Sequence, residues 1–349
     1  MSFRTGSLRY LAGLLPALGA ASSFQRTGWG AWTLVFVVFF LIPILDQVFG
    51  RFKFISAREE DSTLAFDWVL YLTVPIYLFL YLYFLQDVYR NTYDLLTLSG
   101  RIVSMGLLCG VYGINVAHEL GHRKELFPRL VARLLLCTSF YAHFYIEHNR
   151  GHHKHVATPG DPSSARKNEM LYTFWMRSMT MTWLTAWRIE ARKMKNLHLP
   201  IFHYRNQMIV LLFAQLFWFG AIFYFFGYPV IIYILLSAWI GAALLETINY
   251  IEHYGLSRKQ LESGVYERTG VEHSWNSDHV AGRFVLFELS RHSDHHYKAS
   301  KHFPSLESKE GSPQMPLGYP GMMLISLIPP LWFAIMNPKL DKKEGLTAH

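Results

Sequence analysis

Residues 207–245 read QMIVLLFAQLFWFGAIFYFFGYPVIIYILLSAWIGAALL, without one Asp, Glu, Lys or Arg. A helix needs about 20 largely apolar residues to cross a bilayer, and this run holds nearly two such lengths. Gly227-Tyr228-Pro229 interrupts it, and Gly and Pro together mark where a helix stops and turns. The stretch therefore predicts a hairpin of two spans, 207–226 and 229–252. Working outward, the same test finds 27–46, 66–87 and a shorter 99–117 that runs into the first histidines. Residues 10–25 are rich in Gly and Ala, and with Arg4 and Arg9 ahead of them they share the form of a signal peptide. They are read here as a retained span. The expected fold is an all-α integral membrane protein of six transmembrane helices, forming a single membrane-embedded domain over 1–349.

Composition agrees. Of 349 residues, 51% are hydrophobic and 17% charged, against about 25% charged in soluble domains. A mean hydropathy of +0.15 still leaves a substantial polar part. Disorder and a disulfide scaffold are excluded. Cys109 and Cys137 lie in apolar runs and form no C-x-x-C pair, so the chain carries no thiolate metal site and no rubredoxin-type module. Both are expected as small buried hydrophobes. The net charge is +8, and its distribution sets an orientation. Arg4, Arg9, Arg51, Lys53, Arg58 and the basic 150–205 region fall on one side, and Arg26, Arg90 and Arg101 on the other. Both termini are then cytoplasmic, as are 118–206 and 253–349. Basic residues interleaved with spans point to membrane lipids or an acidic partner rather than nucleic acid. The apolar 134–146 and the Pro329-Pro330 stretch are too short or broken to span, and should pack beneath the bundle.

Nine of the 17 histidines sit in four tight clusters. These are His118-Glu-Leu-Gly-His122, Glu147-His148-Asn-Arg-Gly-His152-His153, Asn249-Tyr-Ile-Glu-His253-Tyr-Gly-Leu256 and Arg291-His292-Ser-Asp-His295-His296. Spacings of three or four place side chains on one helix face, so each multi-histidine cluster is expected to converge on one point. Nine close imidazoles would repel as cations and lack partners as neutral groups. Metal coordination resolves this, and the number suits two metals with four or five ligands each. Of the other histidines, His143 and His273 are the expected supports for ligand rings. A competing class arises because His118-Glu119-x-x-His122 is H-E-x-x-H, the metallopeptidase motif with Glu119 as general base. That reading leaves most of the clustered histidines without a task. A metal transporter would place its ligands near the bilayer midplane, whereas these lie at or beyond the cytoplasmic ends of the spans.

The set H-x-x-x-H, H-x-x-x-H-H and H-x-x-H-H resembles the histidine boxes of the membrane di-iron superfamily, which includes desaturases, xylene-type hydroxylases and alkane hydroxylases. Asn115 to Lys124, Glu147 to His153, Asn249 to Leu256 and Leu289 to His296 look like the bacterial alkane 1-monooxygenases. Ala157-Thr-Pro-Gly-Asp-Pro162 and His273-Ser-Trp-Asn276 also fit. The Asn-Tyr-x-Glu-His-Tyr-Gly element discriminates, because desaturases lack it. Departures are Arg123 where Lys is usual, Ser290 where Gln is usual and Tyr297 where Ala is usual. The resemblance implies a bacterial inner-membrane enzyme that uses O2, two Fe ions and electrons from rubredoxin to convert an n-alkane to a primary alcohol. His118, His122, His148, His152, His153, His253, His292, His295 and His296 match the family's ligands. The alternatives are a xylene-type hydroxylase or a fatty-acyl desaturase or hydroxylase.

A terminal methyl C–H bond has no acidity, so acid–base side chains cannot activate it; redox metal chemistry with O2 can. Glu119, Glu147, Glu252 and Asp294 adjoin ligand histidines, and a helical neighbour points about 100° away. They are expected to orient ligands rather than bind metal, with Glu252 the candidate for the closest role. The electron donor, an acidic rubredoxin-type protein supplied separately or from a segment beyond His349, is expected on the basic surface of Arg177, Arg188, Arg192, Lys193 and Lys195 or of Lys339, Lys342 and Lys343. The resemblance also links the position five residues before the proline of a Pro-x-x-Asp element to accepted chain length. Here that element is Pro43-Ile-Leu-Asp46 and the position is Val38, small enough to suggest medium to long alkanes.

Overall fold

The computed structural model describes residues 3–51 and 64–347; Lys53, Arg58 and His349 fall outside them. The described residues form helices joined by irregular loops, with isolated bridges and no strand. Near the N-terminus a 3-10 turn, Arg9–Leu14, leads into α1 (Leu15–Gln25). Four helices are long and apolar enough to cross a membrane: α2 (Gly28–Phe49), α3 (Phe66–Arg90), α4 (Leu95–Gly121) and the region Gln207–His253. Between the last two lies α5 (Leu171–Asn196), and Gln207–His253 is labelled α6.

α6 is the predicted hairpin. Gly227 takes φ 78 and ψ −175 in its middle, a backbone that glycine adopts without penalty and L side chains resist. Leu212 and Gln215 of the first arm line the same cavity as Ala238, Trp239 and Ala242 of the second, which places the arms side by side.

The helical legs alternate in direction. Arg101 of α4 pairs with Asp87 of α3, and farther along Arg123, just past α4, pairs with Asp67 at 3.0 Å. α3 and α4 are therefore antiparallel. The second arm of α6 runs parallel to α4, because added Cβ atoms at Gly106 and Gly110 would meet Ile240 and Leu244 in turn. Gly241 lies equally close to Cys109, and small residues let the two backbones approach. Parallel packing has a functional consequence: α4 and α6 end at the same end of the bundle, and those ends carry His118 and His253. The N-terminal helix reaches that end too, where the Tyr10 hydroxyl donates to Glu288 at 2.8 Å.

Among the described residues three π-helical turns interrupt the α geometry, at Val37–Leu41, Cys109–Val116 and His148–His152. Such turns add a residue to one turn of helix and concentrate at functional sites. Both cysteines are buried and unpaired.

Candidate metal centre

The nine box histidines gather at one end of the bundle and divide into two groups: His118, His122, His148, His153 and His295, and His152, His253, His292 and His296. Each face their neighbours through Nε2. In the five-histidine group the nitrogens of His118 and His295 are 3.0 Å apart, and the pairs His122–His148, His148–His153 and His153–His295 are each at 3.1 Å. In the four-histidine group the separations are 3.2, 2.9 and 3.2 Å for His152–His296, His292–His296 and His253–His292.

These distances test whether a metal fits. Nitrogens at about 2.1 Å from an ion lie about 3.0 Å apart at right angles and about 3.4 Å apart in a tetrahedron. The observed separations of 2.9 to 3.2 Å fit nitrogens that share one ion in each group. Burial, then the neighbouring imidazoles, hold His148, His292, His295 and His296 well below the usual histidine range. They are therefore neutral at physiological pH, the form that ligates.

The division differs from one expectation. His148 and His152, four residues apart, belong to different groups, whereas His148 and His153, five apart, share one. The π turn at His148–His152 is the reason: it lengthens the repeat, so the fifth residue returns to the same face. The last box lies on α7 (His292–Tyr297). There His292 and His296 keep the α spacing and His295 points to the other group. Each of these boxes thus serves both positions.

The carboxylates beside the ligands take different paths. Glu252 Oε2 lies 3.1 Å from His292 Nε2, and its Oε1 accepts from the Tyr319 hydroxyl at 2.8 Å. Glu119 turns away to accept from Arg123 at 2.8 Å, and Arg123 also pairs with Asp67. A carboxylate held in that pair is not placed as the general base of a metallopeptidase. Asp294 accepts from Lys301 at 2.7 Å and from the Glu307 amide. Glu147 is buried with an unpartnered Oε1 against Gly151, and burial, with Asp161 and Glu246 nearby, pushes its carboxyl well above the usual range.

Sequence reasoning missed two residues here. Asp161 accepts from His152 Nδ1 at 2.9 Å and so turns its Nε2 toward the group. Glu246 is buried, bonded to the Tyr141 and Ser178 hydroxyls and to Asn249. Of the expected supports, His273 acts through its carbonyl, 3.4 Å from His253 Nδ1, while His143 faces Thr182.

An apolar cavity ends on this centre. Val38 and Ile42 of α2, Val111 of α4, Leu244 and Ile248 of α6, and Leu286 and Met323 line it, with His118, His148, His292 and Glu252 as polar members. Val38 is buried and faces this cavity rather than lipid. Three of the eight cations of the expected donor surface have partners here: Arg177 pairs with Glu169, Lys193 with Glu190, and Lys343 donates to the Glu272 carbonyl.

A helical bundle ending in a buried nest of nine imidazoles defines a class, and the family model that matches residues 95–323 is described as fatty acid desaturase. The relatives narrow it. The chain is 41% identical to alkane 1-monooxygenase 2 of Pseudomonas aeruginosa over 325 residues, 88% of this chain and 84% of that one. It is 34% identical to alkane 1-monooxygenase of Ectopseudomonas oleovorans over 328 residues, 92% of this chain and 81% of that one. The xylene/toluene monooxygenase hydroxylase component of Pseudomonas putida is 30% identical over 343 residues, 96% of this chain and 89% of that one. The chain belongs to the alkane 1-monooxygenases, membrane oxidoreductases within the histidine-box family.

Proposed function

We propose that this protein hydroxylates medium- to long-chain n-alkanes at the terminal carbon, at a di-iron centre held by the nine box histidines, with O2 as cosubstrate and rubredoxin as electron donor. The observation that carries the reading is the apolar cavity running onto two convergent imidazole sets. A bound iron pair supplies O2 activation and the capacity to take hydrogen from an unactivated C–H bond. The chain's own residues do the rest. Val38, Ile42, Leu244 and Met323 offer an alkane no hydrogen-bond partner, so affinity comes from burying its methylenes, about 0.8 kcal/mol each. Walls of this kind exclude water and favour end-on entry, which presents the methyl group to His118, His148 and His292. His152 is oriented by Asp161 and His253 by the His273 carbonyl, and Tyr319 fixes Glu252. α1, α2, α3, α4 and the two arms of α6 are read as six membrane crossings of the bacterial inner membrane, with the centre on the cytoplasmic side where a soluble donor reaches it.

The test is turnover of purified protein with a rubredoxin, its reductase and 18O2 on dodecane, octane, xylene and a fatty acid. The expected product is the labelled 1-alkanol. Internal alcohols, preferred oxidation of xylene, or an alkene from the fatty acid would overturn the assignment.

A further inference from the structure

Two divalent ions bring four positive charges into a nest of neutral imidazoles, and buried charge requires compensation nearby. Most buried carboxylates in this region are spent on cations: Glu119 on Arg123, Asp294 on Lys301, Glu288 on Arg283 and Glu190 on Arg150 and Lys193. Four are not. Glu147, Asp161, Glu246 and Glu252 are each at most 3% exposed, and among the described residues none is in an ion pair with Lys or Arg. Their partners are hydroxyls, amides and imidazoles, and Glu147 Oε1 has none.

These four are not shared evenly between the two groups. Asp161 touches His152, and Glu252 touches His292. Glu246 bonds Asn249, one helical turn before His253. Glu147 lies against Gly151, beside His152, and is an electrostatic neighbour of both Asp161 and Glu246. The five-histidine group instead adjoins Arg123, next to His122 in sequence; of the carboxylates that adjoin its members in sequence, Glu119 is paired with that arginine and Asp294 with Lys301, and Glu147, next to His148, turns to Gly151 beside His152.

We propose that the two metal positions are electrostatically unequal: the four-histidine position, with Glu147, Asp161, Glu246 and Glu252 as counter-charge, binds a divalent ion first and more tightly, and the five-histidine position fills second. The inference rests on the reading that the nine imidazoles hold two ions. It also accounts for Glu147, Glu246 and Glu252, which are buried with no Lys or Arg bonded to them.

The experiment titrates Co(II) into metal-free, full-length protein in detergent, following absorption and bound metal by equilibrium dialysis. Two steps of one ion each are expected, the first at least tenfold tighter. His253→Ala should remove the tight step and His122→Ala the weak one. Glu147→Gln, Asp161→Asn and Glu246→Gln should each weaken the tight step by about 10–100-fold, the usual effect of losing a partner around a metal ligand, and leave the weak step within about threefold. Thermal unfolding separates charge balance from plain structural support. Metal-free Glu147→Gln, whose Oε1 has no partner to lose, should be as stable as wild type or more so, with a smaller gain on adding metal. Equal affinities, filling of the five-histidine position first, equal weakening of both steps, or loss of stability in metal-free Glu147→Gln would each overturn the proposal. Because no turnover is measured, failure here leaves alkane hydroxylation standing, and absence of hydroxylation would leave unequal binding standing.

Discussion

The two histidine groups draw on the same boxes yet sit in different surroundings. All four rings of the His152 group are buried, backed by Asp161, Glu252 and the His273 carbonyl. In the His118 group, His122 and His153 are only half-buried, and His122 opens onto a polar pocket lined by Lys124, Lys298 and Lys301. One position is sealed among anions and the other borders a basic, wet surface. The five-histidine side is therefore the more open face of the centre, while the apolar cavity touches both groups through His118, His148 and His292.

The largest expected effect comes from breaking either group. Loss of an outer partner of a metal ligand costs about 10–100-fold, and loss of the ligand itself should exceed that. His253→Ala and His122→Ala should each lower 1-alkanol formation by more than about 100-fold while retaining about one iron per chain on elemental analysis. Retention of two irons with wild-type rates in either variant would dissolve the comparison.

Next in size is the cavity they share. Val38→Trp should overfill its wall, and overpacking costs about 1–3 kcal/mol, roughly 5- to 150-fold in relative rate. The measurement is the ratio of long- to short-alkane hydroxylation, expected to fall by that factor. An unchanged ratio would remove Val38 from the substrate wall.

A smaller effect on rate should follow at Glu119. If its carboxylate serves Arg123 and not the metal, Glu119→Gln breaks a buried pair, which typically costs about 3–5 kcal/mol of stability. The iron content of the folded protein should stay at wild type and its hydroxylation rate should fall less than about tenfold. Loss of one iron per chain would move Glu119 into the metal site.

Much of this was legible in the sequence. The charge-free 207–245 run and its Gly227 break gave the α6 hairpin directly, because lipid-facing composition is local information. All nine ring assignments came from spacing and resemblance, and each lies in one of the two groups. The division between groups was hidden, since i, i+4 arithmetic assumes an α-helix and the π turn at His148–His152 breaks it. Asp161 was inside a motif already noted, Ala157 to Pro162, but nothing local ties it to His152. Glu246 had a usable signal: it is the first charge after a long apolar run, and a carboxylate at the end of a span is a functional candidate. The donor surface stands as an expectation, and the fold adds that two of its cations carry carboxylate partners, Arg177 with Glu169 and Lys193 with Glu190 one helical turn away.

The smallest expected effect concerns electron entry. Lys124 and Lys154 are exposed and adjoin, in sequence, the His122 and His153 side of the centre, whereas Arg177 and Lys193 of the basic surface on α5 are paired with Glu169 and Glu190. An acidic donor should therefore be steered toward Lys124 and Lys154. Single exposed charges contribute about 0.2–1 kcal/mol, so Lys124→Glu and Lys154→Glu should each raise the donor KM by roughly 1.5- to 5-fold at low salt. Kcat and product ratios should stay the same. The effect should shrink as salt rises, because the screening length falls from about 10 Å at 0.1 M to about 3 Å at 1 M. Lys339→Glu, on the other basic surface, serves as the control. A donor KM that responds to Lys339 and ignores Lys124 and Lys154, or that is unmoved by ionic strength, would place electron entry away from the five-histidine side and leave the two groups distinguished by burial and counter-charge alone.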